Sequence, residues 1–470
     1  MLKRTSCPPC RKSLRFLISV GLVGQSDESP WLSWIVAGLL PPNGCCLNAR
    51  WRIDFTSEFR TCMERHMTIM TYGPSEPMSS EEIPVVNPKR SADIEQKHRL
   101  VAEFLESHQY DALLLQQPAN FSWFTAGGNC AGHSGSSEAT AALFITPDAR
   151  VVVTTNANSS QLFDHELAGL GFQLKERDWS EPRHTLIDDL CRGRTVASDS
   201  GWGGTHDVSV QLTGMQLPFT TLEEERLREL GRLLAHAIEA TCRQCRYGQT
   251  EAEIAGNLAH RLVKHQIVPE RIQVLADGRS TRYRHWSYSS DPVGRVVTIA
   301  AVGRRWGLCL GAARTVSFGT APADVRDAYQ RAILVHAAGM YFSQPEWELF
   351  EIWNRIQRIY EKYGLIDEWR QAEQAEVIGY RIREIPMVPK SEYRLATGTA
   401  VHWHPSVGPA FVADSILVAE KKSELLTPTD NWPCLRVEVK GEPVVCPGIL
   451  RRAYRGGEEA SGNEGDSVLL

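Results

Sequence analysis

The chain has 470 residues with 42% hydrophobic and 23% charged residues, and its formal net charge at pH 7 is -5. This length and composition are typical of a globular protein with two or more domains, and the lack of a long basic block does not favour nucleic acid as a partner. No apolar stretch is long enough to cross a membrane as a helix, so no membrane partner is expected.

Residues 1–80 show no sustained helical or strand period, and we interpret them as a disordered or mis-assigned N-terminal extension. A start at Met67, Met70 or Met78 would explain this difference from the rest of the chain. A signal peptide is the alternative, because basic residues precede the apolar run at residues 16–24. Twelve cysteines, of which the seven after residue 65 are scattered, predict a reducing, cytoplasmic compartment.

Helical and strand patterns alternate in residues 90–215, which predicts an α/β domain. Ile94, Val101 and Leu105 lie at helical spacing. Two short apolar runs, residues 143–146 and 151–155, flank a Pro-Asp turn and predict a hairpin. The other elements predicted here are a strand at 112–115, a helix at 162–170 and a strand at 194–198.

A second domain is predicted over residues 222–435. Thr221 with Glu224 and Thr250 with Glu253 fit capping boxes that open two helices. Apolar residues at helical spacing follow each box. Further helices are predicted at 323–341 and 347–363, and strands at 296–301, 315–318, 400–404 and 415–419. Residues 451–470 are rich in Gly and Glu, which predicts a disordered tail.

Several short motifs occur in one order along the chain, at residues 120–125, 282–285, 313–315, 378–380, 383–386, 404–405 and 414–418. Together they resemble the creatinase / prolidase / Xaa-Pro aminopeptidase family. The resemblance covers about residues 90–435. It implies an α/β (α+β) fold with a creatinase-like N-terminal domain and a pita-bread C-terminal domain, in which a curved antiparallel sheet is backed by helices. It also implies a homodimer.

The same resemblance places the family's five metal ligands (two Asp, one His and two Glu) at Ala300, Gly311, Glu376, His404 and Ala413. Alanine and glycine have no side-chain donor atom, and two remaining ligands are too few for a tight site. We therefore expect no stoichiometric metal. The alternative is a divalent ion held by Glu376 together with the two histidines of the predicted strand, His402 and His404, which share one face.

The resemblance also supplies candidate site residues. His285 stands at the position of the histidine that creatinase, a metal-free member, uses as general acid and base on a C–N bond. Glu384 is the second catalytic candidate. The candidates for substrate binding are Arg383, Arg314 and His404. For Arg383 an ion pair with Glu384 is equally open, and for Arg314 a structural role at the sheet edge.

These observations leave two classes of function. One is a metal-free hydrolase of a C–N bond in a small-molecule or short-peptide substrate. The other is a non-catalytic protein that binds such a ligand or a partner in the same cleft. A genuine Xaa-Pro aminopeptidase or dipeptidase with an altered metal site is the alternative to both.

Overall fold

The computed structural model of the chain describes residues 87–131 and 139–453. The prediction for the N-terminal extension and most of that for the tail lie outside these ranges. The described residues belong to one compact unit. None of the helices in these ranges is both long and apolar enough to cross a membrane.

Residues 88–216 build a six-stranded N-terminal sheet with the strand order β4-β3-β2-β1-β5-β6. The predicted strand and hairpin are confirmed as β1 and as the antiparallel pair β2–β3, whereas β1–β5, β3–β4 and β5–β6 are parallel. The elements are α1 Pro88–His108, β1 Ala112–Leu115, α2 Pro118–Phe124, β2 Ala142–Ile145, β3 Arg150–Thr155, α3 Asn156–Gln161, β4 Gln173–Arg177, α4 His184–Cys191, β5 Val196–Ser198, β6 His206–Asp207 and α5 Ser209–Gln216.

The helix predicted over residues 162–170 is wrong in its position. The helix α3 begins at Asn156 and passes into a π-helical turn that ends at Glu166. Gly169 and Gly171 both have positive φ values, 70° and 71°, so the backbone there leaves the right-handed helical region.

Two capped helices open the C-terminal region, α6 Thr221–Gln244 and α7 Glu251–Lys264. The box of Thr250 and Glu253 is confirmed. The first box is formed by Thr220 and Glu223, one residue before the predicted pair. The doubled threonine and the run of three glutamates make both registers fit the sequence, and only the contacts of the folded chain select one.

Two antiparallel sheets follow. One has the order β19-β9-β8-β7, with only β19–β9 parallel, and the other β11-β10-β12-β15-β16. The elements are β7 Val268–Ala276, β8 Val296–Arg305, β9 Leu308–Phe318, α8 Ala323–Phe342, α9 Leu349–Lys362, β10 Ala375–Ile378, β11 Ile385–Pro386, β12 Ala400–Trp403, β13 Ser406–Val407, β14 Ala410–Phe411, β15 Asp414–Leu417, β16 Glu424–Leu425, β17 Cys434–Val439, β18 Glu442–Pro447 and β19 Ile449–Arg452.

The predicted fold class, an α/β chain with an antiparallel C-terminal sheet under helices, is confirmed. The helix α6 packs on β8 and β9. Arg451 and Arg452, which were assigned to the disordered tail, instead pair with Ser317 and Phe318 as part of β19. The boundary predicted between domains 90–215 and 222–435 stays a prediction.

A buried polar cluster fixes the turn that precedes β11. The ammonium of Lys97 lies 2.6 Å from Glu223 and 2.7 Å from Asp93, and the hydroxyl of Tyr380 donates to the same Glu223 carboxylate. Arg381 also reaches the amide oxygen of Asn120, at 3.0 Å. The segment that connects β10 to β11 is therefore held from the N-terminal side.

Candidate functional site

Two alanines, Ala300 and Ala413, line a cavity between the two C-terminal sheets, and a third, Ala313, packs against them. Ala300 on β8 lies directly opposite Ala313 on β9, and the amide of Ala313 donates to the carbonyl oxygen of Ala413 at 2.9 Å. The three side chains form a buried apolar cluster against which Phe411 packs. Two of the five positions expected to bind metal are therefore brought together as predicted, but they present methyl groups.

A row of polar side chains crosses the second sheet beside these alanines. Glu376, His402 and Ser415 lie opposite one another on β10, β12 and β15. Directly opposed residues of antiparallel strands project from the same face, and so do residues two apart on one strand. His404 follows His402 by two residues, and their rings stack with centroids 5.0 Å apart.

The imidazole of His402 occupies the space that a side chain at position 311 would need. A Cβ atom added to Gly311 would lie 2.5 Å from His402 Nε2, a separation that real Cβ contacts essentially never show. Glycine at 311 and histidine at 402 are therefore a matched pair. An aspartate at 311 could not coexist with this ring in its present place.

Hydrogen bonds determine which nitrogen of His402 carries the proton. The hydroxyl of Ser415 donates to the carbonyl oxygen of Gly311 at 2.8 Å and accepts from the amide of Gly311 at 3.1 Å. Its only proton is thereby used, so His402 Nδ1, at 3.1 Å, must donate to it. Burial, with smaller effects from His404 and Arg271, lowers the pKa of His402 to about 3. The ring is neutral and Nε2 carries a free lone pair.

Glu376 and His404 form a buried pair. Their Oε2 and Nε2 atoms are 2.7 Å apart. Burial by itself raises the pKa of Glu376, but the charge of His404 and its hydrogen bond outweigh that effect, so the pKa lies below its usual value. Glu376 is thus a carboxylate at neutral pH, beside two imidazoles.

The donor atoms of Glu376, His402 and His404 all lie within 4.8 Å of one another. The cavity beside them has a volume of about 20 Å³, which is enough for one water molecule. Ordinary small-molecule pockets are about 300–1,000 Å³. As folded here, the cavity has room for an ion or a water but not for a dipeptide.

His285 and Arg383 meet at the mouth of the cavity on one carboxylate that the sequence did not single out. His285 Nε2 lies 3.2 Å from Glu373 Oε2, and Arg383 donates to the other oxygen. Although burial raises it, hydrogen bonds and electrostatic interactions with Arg383 and His285 lower the pKa of Glu373 to about 2. The side chain of His285 is 60% exposed, so it is open to solvent rather than enclosed.

Glu384 does not pair with Arg383. Its carboxylate instead accepts from the amide of Arg381 at 2.8 Å and from the guanidinium of Arg381 at 3.1 Å. It is buried under Gly379 and is not among the residues that line the cavity. The structure therefore does not bring Glu384 together with His285.

Arg314 faces away from the cavity. Since neighbouring residues of a strand point to opposite faces, Ala313 faces the cavity and Arg314 faces α6. Its guanidinium is fully buried and donates to Glu239 at 3.1 Å, to Asp414 at 2.9 Å and to the carbonyl of Thr427 at 3.0 Å. These contacts support the structural role left open for Arg314 over substrate binding.

Sequence reasoning missed Arg271, Glu373 and Ser415. Arg271 lines the cavity from β7 and has no ion-pair partner among the described residues. Arg271 follows Glu270 in the half of β7 that precedes the apolar end of the strand, so its neighbours in sequence do not mark it. Nothing local marks Glu373 or Ser415, because their roles depend on partners from other strands and loops.

Part of the chain matches the model of a known protein family. Residues 225–423 match the model of metallopeptidase family M24. No curated protein matches the chain.

Several solved structures share the fold. The dipeptidase PepE from Mycobacterium ulcerans superposes with a TM-score of 0.62 at 15% identity, covering 77% of this chain and 99% of that chain. The prolidase from Pyrococcus horikoshii OT3 superposes with a TM-score of 0.61 at 15% identity, covering 71% of this chain and 99% of that chain. The X-Pro aminopeptidase from Thermotoga maritima MSB8 superposes with a TM-score of 0.58 at 17% identity, covering 71% of this chain and 98% of that chain. The pita-bread architecture is therefore confirmed.

The steric coupling of Gly311 and His402 predicts non-additive stabilities. Gly311→Ala should lower the free energy of unfolding by about 1–3 kcal/mol, the usual cost of overpacking. In a His402→Ala background the same change should cost clearly less, because the ring is gone. Urea unfolding of the four proteins measures this. The control is Gly256→Ala, at a helical glycine with nothing within 4 Å of its added Cβ. Equal costs of Gly311→Ala in both backgrounds would refute the coupling.

The two candidate substrate-binding arginines should differ sharply in their effect on stability. Arg314→Leu leaves Glu239 and Asp414 buried without their partner, which should cost about 3–5 kcal/mol of unfolding free energy. Arg383→Leu removes a guanidinium that is 46% exposed and should cost about 1 kcal/mol or less. Thermal or urea unfolding measures both. Similar small losses would restore Arg314 as a functional candidate.

Proposed function

We propose that this chain, whose residues 225–423 match the model of metallopeptidase family M24, keeps the pita-bread fold but has given up two-metal peptidase chemistry and acts as a ligand-binding protein. The observation that carries the proposal is the apolar cluster of Ala300, Ala313 and Ala413, of which Ala300 and Ala413 line the cavity. These two alanines lie where the family resemblance places metal-binding carboxylates.

Two-metal hydrolysis needs donors that hold both ions and a bridging water between them. Ala300, Gly311 and Ala413 offer no donor atom, and a carboxylate at 311 is excluded by the ring of His402. Because of these side chains and the space between them, the residues present do not fit a pair of metal ions.

The size of the cavity also favours binding over peptide hydrolysis. Its volume of about 20 Å³ leaves no room for a proline ring and a preceding residue. The ligand of the cavity itself is accordingly small. The expected homodimer and the cytoplasmic location stay predictions.

A second candidate function is metal-free cleavage of a C–N bond, with His285 as proton shuttle. The contact between His285 and Glu373, at 3.2 Å, favours it, since a carboxylate can orient an imidazole and stabilise its protonated form. Arg383, bound to the same carboxylate, could then receive a substrate carboxylate. This chemistry would occur at the exposed mouth and would need no metal.

Turnover assays distinguish these functions. The purified chain should cleave neither Xaa-Pro dipeptides nor creatine, with or without added Mn²⁺, while a prolidase assayed alongside serves as positive control. Mn²⁺-dependent cleavage of Xaa-Pro at about 1 s⁻¹ or faster, an ordinary enzymatic rate, would contradict the proposal. Metal-free turnover that His285→Ala abolishes would establish the second candidate instead.

A further inference from the structure

We infer that Glu376, His402 and His404 bind a single divalent transition-metal ion, in a site that uses two of the five positions of the two-metal centre, Glu376 and His404, and adds His402. The inference deepens the proposed function, on which it rests, by naming the ligand of the cavity. Four observations carry it: the donor set, the free nitrogen of His402, the spacing of the donors and the space beside them.

The three side chains form a donor set suited to one borderline-soft cation. Two imidazoles and one carboxylate are the ligands of catalytic zinc sites and of mononuclear iron sites, where the remaining positions are open. Calcium and magnesium require mainly oxygen ligands, of which this cluster offers one carboxylate. Zn²⁺, Co²⁺ and Fe²⁺ therefore fit, and Mg²⁺ and Ca²⁺ do not.

His402 is already in the protonation state and orientation that a metal ligand needs. Its Nδ1–H is held by the hydroxyl of Ser415 at 3.1 Å, and its Nε2 forms no hydrogen bond with the described residues. Metal-binding histidines nearly always have their second ring nitrogen held in this manner. The residue is only 5% exposed and lines the cavity.

The spacing of the donors requires only a small adjustment. The donor atoms lie within 4.8 Å of one another, and Glu376 and His404 are in direct hydrogen-bond contact at 2.7 Å. A tetrahedral zinc with bonds of about 2.1 Å needs donors about 3.4 Å apart. The ion would thus replace the proton between Glu376 and His404 and separate these two side chains by less than 1 Å.

The adjoining cavity provides for the fourth ligand and excludes a second ion. A volume of about 20 Å³ holds one water molecule, which completes a tetrahedral shell around three protein ligands. The second ion of a two-metal centre would fall against the methyl groups of Ala300 and Ala413, which bind no cation.

One residue of the cavity wall, Arg271, disfavours the binding of a cation, and its substitution provides an additional test. Arg271 lines the cavity that also borders His402 and His404, and its guanidinium is positively charged. Removing that charge should make a cation bind more tightly. Arg271→Met is therefore expected to raise affinity, whereas every substitution among the three ligands is expected to lower it.

Titration of the metal-free full-length chain with Co²⁺ and Zn²⁺ tests the inference. Calorimetry should give one ion per chain, and the near-ultraviolet spectrum of the cobalt form should lack a thiolate charge-transfer band, which separates this site from the cysteines such as Cys7 and Cys10. His402→Ala or Glu376→Gln should weaken binding by about 100-fold or more. Ser415→Ala, which only frees the ring, should weaken it by about 10–100-fold.

His336→Ala is the matched control, because this histidine is also fully buried but lies on α8 outside the cluster. It should leave affinity unchanged, and thermal unfolding checks that each variant is folded. Absence of binding by the wild-type chain, a thiolate spectrum, or wild-type affinity in His402→Ala and Glu376→Gln would overturn the inference. Cleavage of Xaa-Pro substrates by a chain that passes these binding tests would refute the proposed function alone.

Discussion

A Cβ atom at position 311 and the imidazole of His402 cannot share the space between β9 and β12, and the rest of the site follows from that exclusion. Because position 311 is glycine, the ring lies against the β9 backbone and donates to Ser415, whose hydroxyl binds both the amide and the carbonyl of Gly311. His404 then stacks on His402 and reaches Glu376. Because position 311 has no side chain, the ring of His402 fits against β9, and His404 stacks on that ring.

The two faces of β9 have different roles: one contributes to the stability of the fold, and the other is turned toward the cavity. On the face toward α6, Arg314 is fully paired with buried carboxylates, an arrangement in which removal of either partner is costly. On the cavity face, Ala313 and its two alanine neighbours contribute no charge. The ionisable groups of the cavity come instead from β7, β10, β12 and the loop residues His285 and Glu373. The fold can therefore remain intact while the chemistry of the cavity face changes.

The sequence predicted the fold where local patterns are unambiguous and failed where two registers fit equally. The hairpin β2–β3 and the box of Thr250 and Glu253 were predicted correctly, whereas the first box was displaced by one residue within a repeated Thr-Thr and Glu-Glu-Glu pattern. The order of the motifs was enough to bring Ala300 and Ala413 to one cavity with His404. It could not reveal that His402 fills the space at position 311, because that contact depends on the register between strands more than 90 residues apart in sequence.

Anomalous diffraction at the zinc absorption edge, from crystals of the full-length chain grown with Zn²⁺, tests the central claim most directly. The account predicts one anomalous peak in this cavity, at about 2.0–2.2 Å from His402 Nε2, His404 and Glu376. It also predicts no second peak at the spacing of about 3.5–4 Å that two-metal sites show. Two peaks beside Ala300 and Ala413, or a cavity without zinc while His402 keeps its present place, would contradict it.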